Sequence, residues 1–227
     1  MGENTERGIH TKLGIVALRI LFAVPGIALI GAAVPRLMSG LAVEAAFPVP
    51  SYIEGNIQLP KTAYAQAQDV LARANIADGQ TKILQAEAAY LAGSPIEKVE
   101  SILKPALGYA PSSARGWTLL AELEVAKQPQ IGASALALGL QFAPFDYWLA
   151  GRRANVGAQL WNEMDADGKN SLLRQTRLLW SEEQFRGKIA ALYMTESGRA
   201  LVARAFADEP DTLRELNRRT MRDYIAP

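Results

Sequence analysis

The sequence has no cysteine and a single histidine, His10. Without thiols there are no disulfides and no thiolate nucleophiles, and covalent bonds say nothing about the redox compartment. One imidazole builds neither a histidine metal site nor a proton relay. Excess charge of either sign is also missing, since 24 basic residues face 23 acidic ones in 227. A general nucleic-acid binder carries a strong basic excess, so no nucleic-acid partner is expected. There is no Gly-rich phosphate loop and no nucleophile elbow. Acidic pairs such as Glu122 with Glu124, or Glu182 with Glu183, are what charged helix surfaces produce routinely, and nothing selects two of them as a hydrolytic dyad. "EMDADGKN" at 163–170 imitates the opening of a calcium loop. Its twelfth position, where a bidentate acid belongs, is Arg174, so the stretch reads as a polar turn. The expectation is a non-enzyme with no catalytic residue, cofactor or metal.

What is present is unevenly distributed. Leu13 to Pro35 reads "LGIVALRILFAVPGIALIGAAVP", 23 residues with Arg19 as the only charge. About 20 apolar residues span a bilayer as a helix, and an arginine near one end can bend its stem to the interface. The small residues Gly14, Gly26, Gly31, Ala32 and Ala33 permit close helix packing in lipid. Arg7, Lys12 and Arg19 outweigh Arg36, which places the N-terminus in the cytoplasm and the rest of the chain across the membrane. A cleavable secretory signal, with "LAVEAAFP" at 41–48 as its small-residue stretch, and a buried soluble helix are the competing readings. The retained anchor fits the length best. The resulting division is a cytoplasmic N-terminus at 1–12, a transmembrane helix at 13–35, a linker at 36–60 and a helical domain at 61–227. In a Gram-negative bacterium that domain is periplasmic. Pro48, Pro50 and Pro60 make the linker a semi-rigid tether. Phe47, Tyr52 and Ile53 are its candidate interfacial or partner-facing side chains.

From Pro60 onward, apolar residues recur at helical intervals. The pattern predicts an all-α chain with helices at 61–74, 79–92, 95–109, 113–126, 130–142, 145–162, 168–180, 182–194, 198–206 and 211–224. Gly93 should stop one helix, Ser94 should cap the next with Glu97 completing a capping box, and Pro105 should kink or shorten that helix. Ser181 in "SEEQ" and Asp211 before "TLREL" are further caps.

Two phrases set the architecture: "LGYAP" at 107–111 and "LQFAP" at 140–144. Pro144 follows Pro111 by 33 residues, with two helices per interval. The aromatic of each phrase, Tyr109 or Phe142, is expected to pack under the next hairpin, with Ala110 or Ala143 allowing close approach. The second unit carries Trp117 early in its first helix, then "LLAEL", then Ala133 and Ala135 on its second helix and Pro144 at its end. On these residues the chain resembles the tetratricopeptide repeat family over about 79–147. Ala121 stands where that family usually has glycine, and its tyrosine is absent. The resemblance implies an α-solenoid of stacked hairpins, with degenerate ends as caps and a curved inner surface for peptides or partner proteins.

"FDYWLAGRRANVGAQLW" at 145–161 is the most distinctive stretch. Phe145, Trp148, Leu149, Val156, Leu160 and Trp161 share one broad helical face, with Arg152 and Arg153 beside it. Arginine next to tryptophan suits carboxylates, phosphates or sugar rings, which makes Trp148, Arg152, Arg153 and Trp161 the candidate partner-binding residues. The alternative, a core stripe whose arginines snorkel at its edge or pair with Glu163, Glu182 and Glu183, is favoured. The C-terminal "TLRELNRRTMRDYIAP" caps the solenoid or docks on anionic lipid or a partner helix.

Together these features point to a single-pass inner-membrane scaffold or assembly subunit of a bacterial envelope complex. Its partners are other membrane or envelope subunits, and it meets the bilayer through 13–35. Resemblance to bacterial proteins of this shape implies cell-surface polysaccharide synthesis or export. Two alternatives remain: an accessory module binding an anionic saccharide or lipid, and a small subunit of an energy-transducing membrane complex.

Overall fold

A computed structural model describes residues 58–73 and 78–225, side chains through Thr220, together with scattered positions between 23 and 49. The described residues contain helices and no strand. The all-α expectation therefore holds. From residue 58 on, the helices are α1 (Lys61–Arg73), α2 (Gly79–Ala92), α3 (Ile96–Tyr109), α4 (Ala114–Glu124), α5 (Pro129–Phe142), α6 (Tyr147–Gln159), α7 (Ala166–Ser181), α8 (Arg186–Tyr193), α9 (Glu196–Ala205) and α10 (Pro210–Ile225), with a 3-10 turn at Glu183–Phe185 before α8. Each expected helix is present to within a few residues. Among the described residues no helix is long and apolar enough to cross a membrane. Residues 1–22, most of the expected span, and Phe47, Tyr52 and Ile53 of the linker lie outside the described residues.

Consecutive helices pack as antiparallel neighbours: α2 on α3, α4 on α5, α6 on α7, and α8 on α9. The first helices also adjoin one another, α2 to α4 to α6, while α5 adjoins α7 on the other side. One continuous core follows this stack, running from Ile83 through Leu103, Leu119, Leu136, Leu160, Leu172 and Leu201 to Leu216. A second, smaller core joins α1 to α2 through Tyr64, Leu71 and Ala88, and it includes Ala46 and Val49. The linker therefore rests on the domain at those two positions. Gly93 ends α2 with φ +85, the left-handed region that glycine enters without steric cost.

The two repeated phrases fold alike. Ala110 and Ala143 adopt φ/ψ of −131/64 and −144/74. Each turns its N–H back four residues, to Ala106 O at 2.9 Å and Gly139 O at 3.4 Å. Ala110 provides the expected close approach, because a Cβ on Gly79 would stand 2.7 Å from the Ala110 Cβ. The aromatics differ from expectation. Tyr109 is 73% exposed and Phe142 43% exposed. Leu107 and Leu140, two residues earlier, are the buried ones, and a step of two residues carries a side chain about 200° round a helix. Helices α4 and α5 approach closely at Gly132 of α5. A Cβ on Gly132 would lie 3.4 Å from Ala121 O, so the two backbones come together there.

Three expected caps are not formed. Pro95 occupies the cap position of α3, while the Ser94 N–H is spent on Ala89 O in closing α2. Ser181 Oγ turns back to Leu178 O and ends α7. Asp211 lies inside the first turn of α10, whose Leu213 N–H is taken by Glu209 O. Helix α3 runs through Pro105 to Tyr109. Proline removes the N–H that would meet Ser101 O, and Ser101 is exposed, so water can serve that carbonyl.

Candidate partner-binding surface

The side of the stack formed by α2, α4 and α6 is tied by charge. Glu87 on α2 is 0% exposed, and both its oxygens are occupied: Oε2 accepts from Arg115 Nη1 at 3.0 Å, and Oε1 accepts from Arg152 Nη1. Arg152, on α6, also grips Glu122 of α4 with two parallel bonds, Nε to Oε1 at 2.8 Å and Nη2 to Oε2 at 2.6 Å. This fork geometry is the one in which guanidinium and carboxylate match best. Burial pushes the Glu87 carboxyl up, but the guanidiniums of Arg152 and Arg115 outweigh it and hold the group below its ordinary value. Burial disfavours the charged Arg152 in turn, and Glu87 and Glu122 overcome that and raise it. Tyr90, beside the network, is raised by burial and by Glu122.

Arg153 turns the other way. It is 0% exposed; its Nε donates to Thr118 Oγ1 at 3.1 Å and its Nη1 to Ala143 O at 2.7 Å, and its Nη2 finds no partner. Burial lowers its pKa to about 10. The residue thus pins α6 to α4 and to the second repeated junction.

The tryptophans go to two further places. Trp148 is half exposed and meets the edge of Phe185 at 5.5 Å; Phe185 stacks on Tyr147 at 5.6 Å. Lys188 lies over both Trp148 and Phe185, at 5.7 and 5.1 Å from their ring centres, with its Nζ buried and unbonded. Burial lowers the Lys188 pKa. Trp161 follows α6 and is sandwiched by Lys169 at 5.6 Å and Arg204 at 4.9 Å.

The four sequence-predicted residues are therefore close along the chain but go to four separate places. Arg152 joins the α2–α4–α6 network, Arg153 the α4–α5 seam, Trp148 the start of α8, and Trp161 the side of α7 and α9. Arg152 does pair with acids, but with Glu87 and Glu122 rather than Glu163, Glu182 or Glu183, whereas Arg153 meets a hydroxyl and a carbonyl. On the expected apolar face Leu149, Val156 and Leu160 are buried, whereas Phe145 is exposed. Sequence reasoning missed Glu87, Arg115, Phe185 and Lys188. The signal for Glu87 was its place in "ILQAEAAYLA", a charge within an otherwise apolar and small run. In the calcium-loop look-alike, Asp165 caps α7, accepting from Gly168 N at 2.7 Å. No group of three or more metal-ligating side chains occurs among the described residues.

No protein-family model, curated protein or solved structure matches the chain.

Proposed function

We propose that the chain is a membrane-anchored scaffold, a tetratricopeptide-like hairpin stack held at a bacterial inner membrane by its N-terminal apolar segment. The observation that carries the reading is the surface of that segment. Its described residues Val24, Ile27, Leu29, Ile30 and Val34 are 50–71% exposed, and Leu37, Met38 and Leu41 just after it are 49–64% exposed. Such an apolar surface is unfavourable in water at about 25 cal/mol per Å² and calls for lipid or another protein. Behind it stands a domain whose buried Glu87 and its partner Arg152 are spent on structural ion pairs, which suits a body that holds partners in place. The basic residues before the span favour an N-terminus in the cytoplasm and a periplasmic domain. Assembly of an envelope complex, with cell-surface polysaccharide synthesis or export as the named class, is the role that fits this shape.

The test is mild detergent extraction of the full chain from bacterial membranes, followed by mass spectrometry. Envelope subunits should co-purify with residues 1–227, and residues 58–227 should leave the membrane fraction. A full-length chain that stays in the soluble fraction ends the proposal. A C-terminal reporter active only in the cytoplasm ends its periplasmic part.

A further inference from the structure

On the side away from the Glu87 network, α5 and α7 leave a cleft of about 1080 Å³ between them. Its lining follows one stripe of α7 from Asp165 to Ser181, and from the α5 side come Ala137, Leu140, Pro144 and Phe145. At 1.5 Å per residue that stripe is about 24 Å long, the length of about seven residues of extended chain. The shape is that of a polymer site rather than a compact metabolite pocket.

The floor is apolar, with one buried polar exception. Gln175 is buried; its Nε2 donates to Pro144 O at 3.2 Å, and its Oε1 receives no hydrogen bond from the protein. The amide cannot be reversed without setting two acceptors face to face, so the acceptor stays free. The acceptor is sealed from solvent, so it is a cost carried within the α5–α7 packing and offers nothing to an occupant of the cleft. At the rim, Asp167 and Arg174 are exposed, and among the described residues neither has an ion-pair partner. Arg174 reaches only Ser171 Oγ, at 3.2 Å. Arg177, by contrast, is held by Asp208 at 2.8 Å and by Ala205 O. Asp167 and Arg174 are two helical turns apart on the same face, about 10 Å, which equals about three residues of a polyproline-II-type extended chain, the conformation in which positions three apart share a face. Phe145 is 72% exposed at one end of the cleft and offers a ring for an apolar side chain.

We infer that this cleft binds an extended peptide segment of a partner protein, with a basic and an acidic residue about three positions apart bracketing apolar side chains. The acidic residue meets Arg174, the basic one meets Asp167, and the apolar residues lie on Leu140, Leu178 and Phe145. The cleft deepens the scaffold reading, and rests on it, by naming one place and one chemistry through which a partner is held.

The probe is the fluorescein-labelled peptide Gly-Ser-Lys-Leu-Val-Glu-Leu-Ser, titrated by fluorescence polarisation against the full chain in detergent. Saturable binding is expected, weakened at least tenfold by Arg174→Glu and by Phe145→Ala, both exposed positions that leave the core intact. Changing the peptide's glutamate to lysine should restore binding to Arg174→Glu and weaken it for the wild type. Absence of saturation below 1 mM, or equal binding by wild type and both variants, overturns the assignment. Co-purification from membranes is read in parallel. Partners retained equally by Arg174→Glu and Phe145→Ala sink the cleft and spare the scaffold, whereas partners absent from the wild type sink the scaffold itself.

Discussion

Arg152 and Glu87 stand 65 residues apart in sequence and share a buried ion pair that joins the sixth helix to the second. Glu122 completes Arg152, and Arg115 completes Glu87. Removing one member of a buried pair leaves the other charge in low dielectric, which costs more than the pair itself is worth. Arg152→Ala should therefore destabilise the domain by about 3 kcal/mol. Arg152→Met combined with Glu87→Met should cost clearly less than the sum of the single changes. Urea titration of the four proteins checks this, and strict additivity would refute the coupling.

The same pair sets an acid limit. Glu87 has a folded pKa below its unfolded value of 4.5. The unfolded chain takes up the proton first, so the linkage favours the fold above about pH 4.5 and is lost as pH falls through the folded value. Stability measured from about pH 6 down to about pH 3 should fall less steeply in Glu87→Gln than in the wild type. Parallel curves would show that Glu87 does not titrate against folding.

Lys188 works in the opposite sense. Burial depresses its pKa below 10.5, so carrying its charge in the fold costs stability at neutral pH, and the cost fades as pH rises toward 10.5. The rings of Trp148 and Phe185 offset part of it. Lys188→Met should stabilise the chain at pH 7 by about 1 kcal/mol, a rise in Tm of about 2–4 °C. That gain should shrink in alkali. A Tm that falls at pH 7 would assign the net effect to the ring contacts.

Two glycines on neighbouring helices predict opposite signs. A Cβ at Gly79 would meet Ala110 Cβ at 2.7 Å and the backbone at 2.9 Å, whereas one at Gly108 meets nothing within 4 Å. Gly79→Ala should cost about 1–3 kcal/mol by overpacking. Gly108→Ala, near the end of α3, should add about 0.5 kcal/mol through helix propensity. Thermal melts of both decide it, and equal shifts would contradict the packing at the α2–α3 crossing.

The helices were legible because apolar spacing is a local signal, and the 33-residue interval was legible because it is written twice. What escaped depends on direction or distance. Tyr109 and Phe142 look like core residues by type, yet the helix turns them outward, because Leu107 and Leu140 already hold the inner face. The true N-caps Asp78, Ser113, Asp146, Asp165 and Thr195 accept from N–H groups two or three residues on. They carried the right residue type but no capping-box glutamate, the cue that drew attention to Ser94 and Ser181. Arg152 was matched to nearby acids in the chain because sequence shows proximity along one dimension only. Its partners lie 30 and 65 residues earlier, brought close by the stacking of hairpins. The α5–α7 cleft left no sequence mark, because its two walls come from helices that become neighbours only through stacking.

The matching bends at Ala110 and Ala143 make the stack behave like a screw thread, in which each hairpin inherits the phase of the one before. One residue inserted within α4 would advance everything after it by about 100°, swinging Arg152 off its carboxylates and Arg153 out of its seam at a stroke. The same insertion in the turn at 125–128 could be taken up without that rotation. Tolerance to length change in this chain should therefore be confined to its corners, and the tally of survivable insertions would trace the thread without any coordinate being measured.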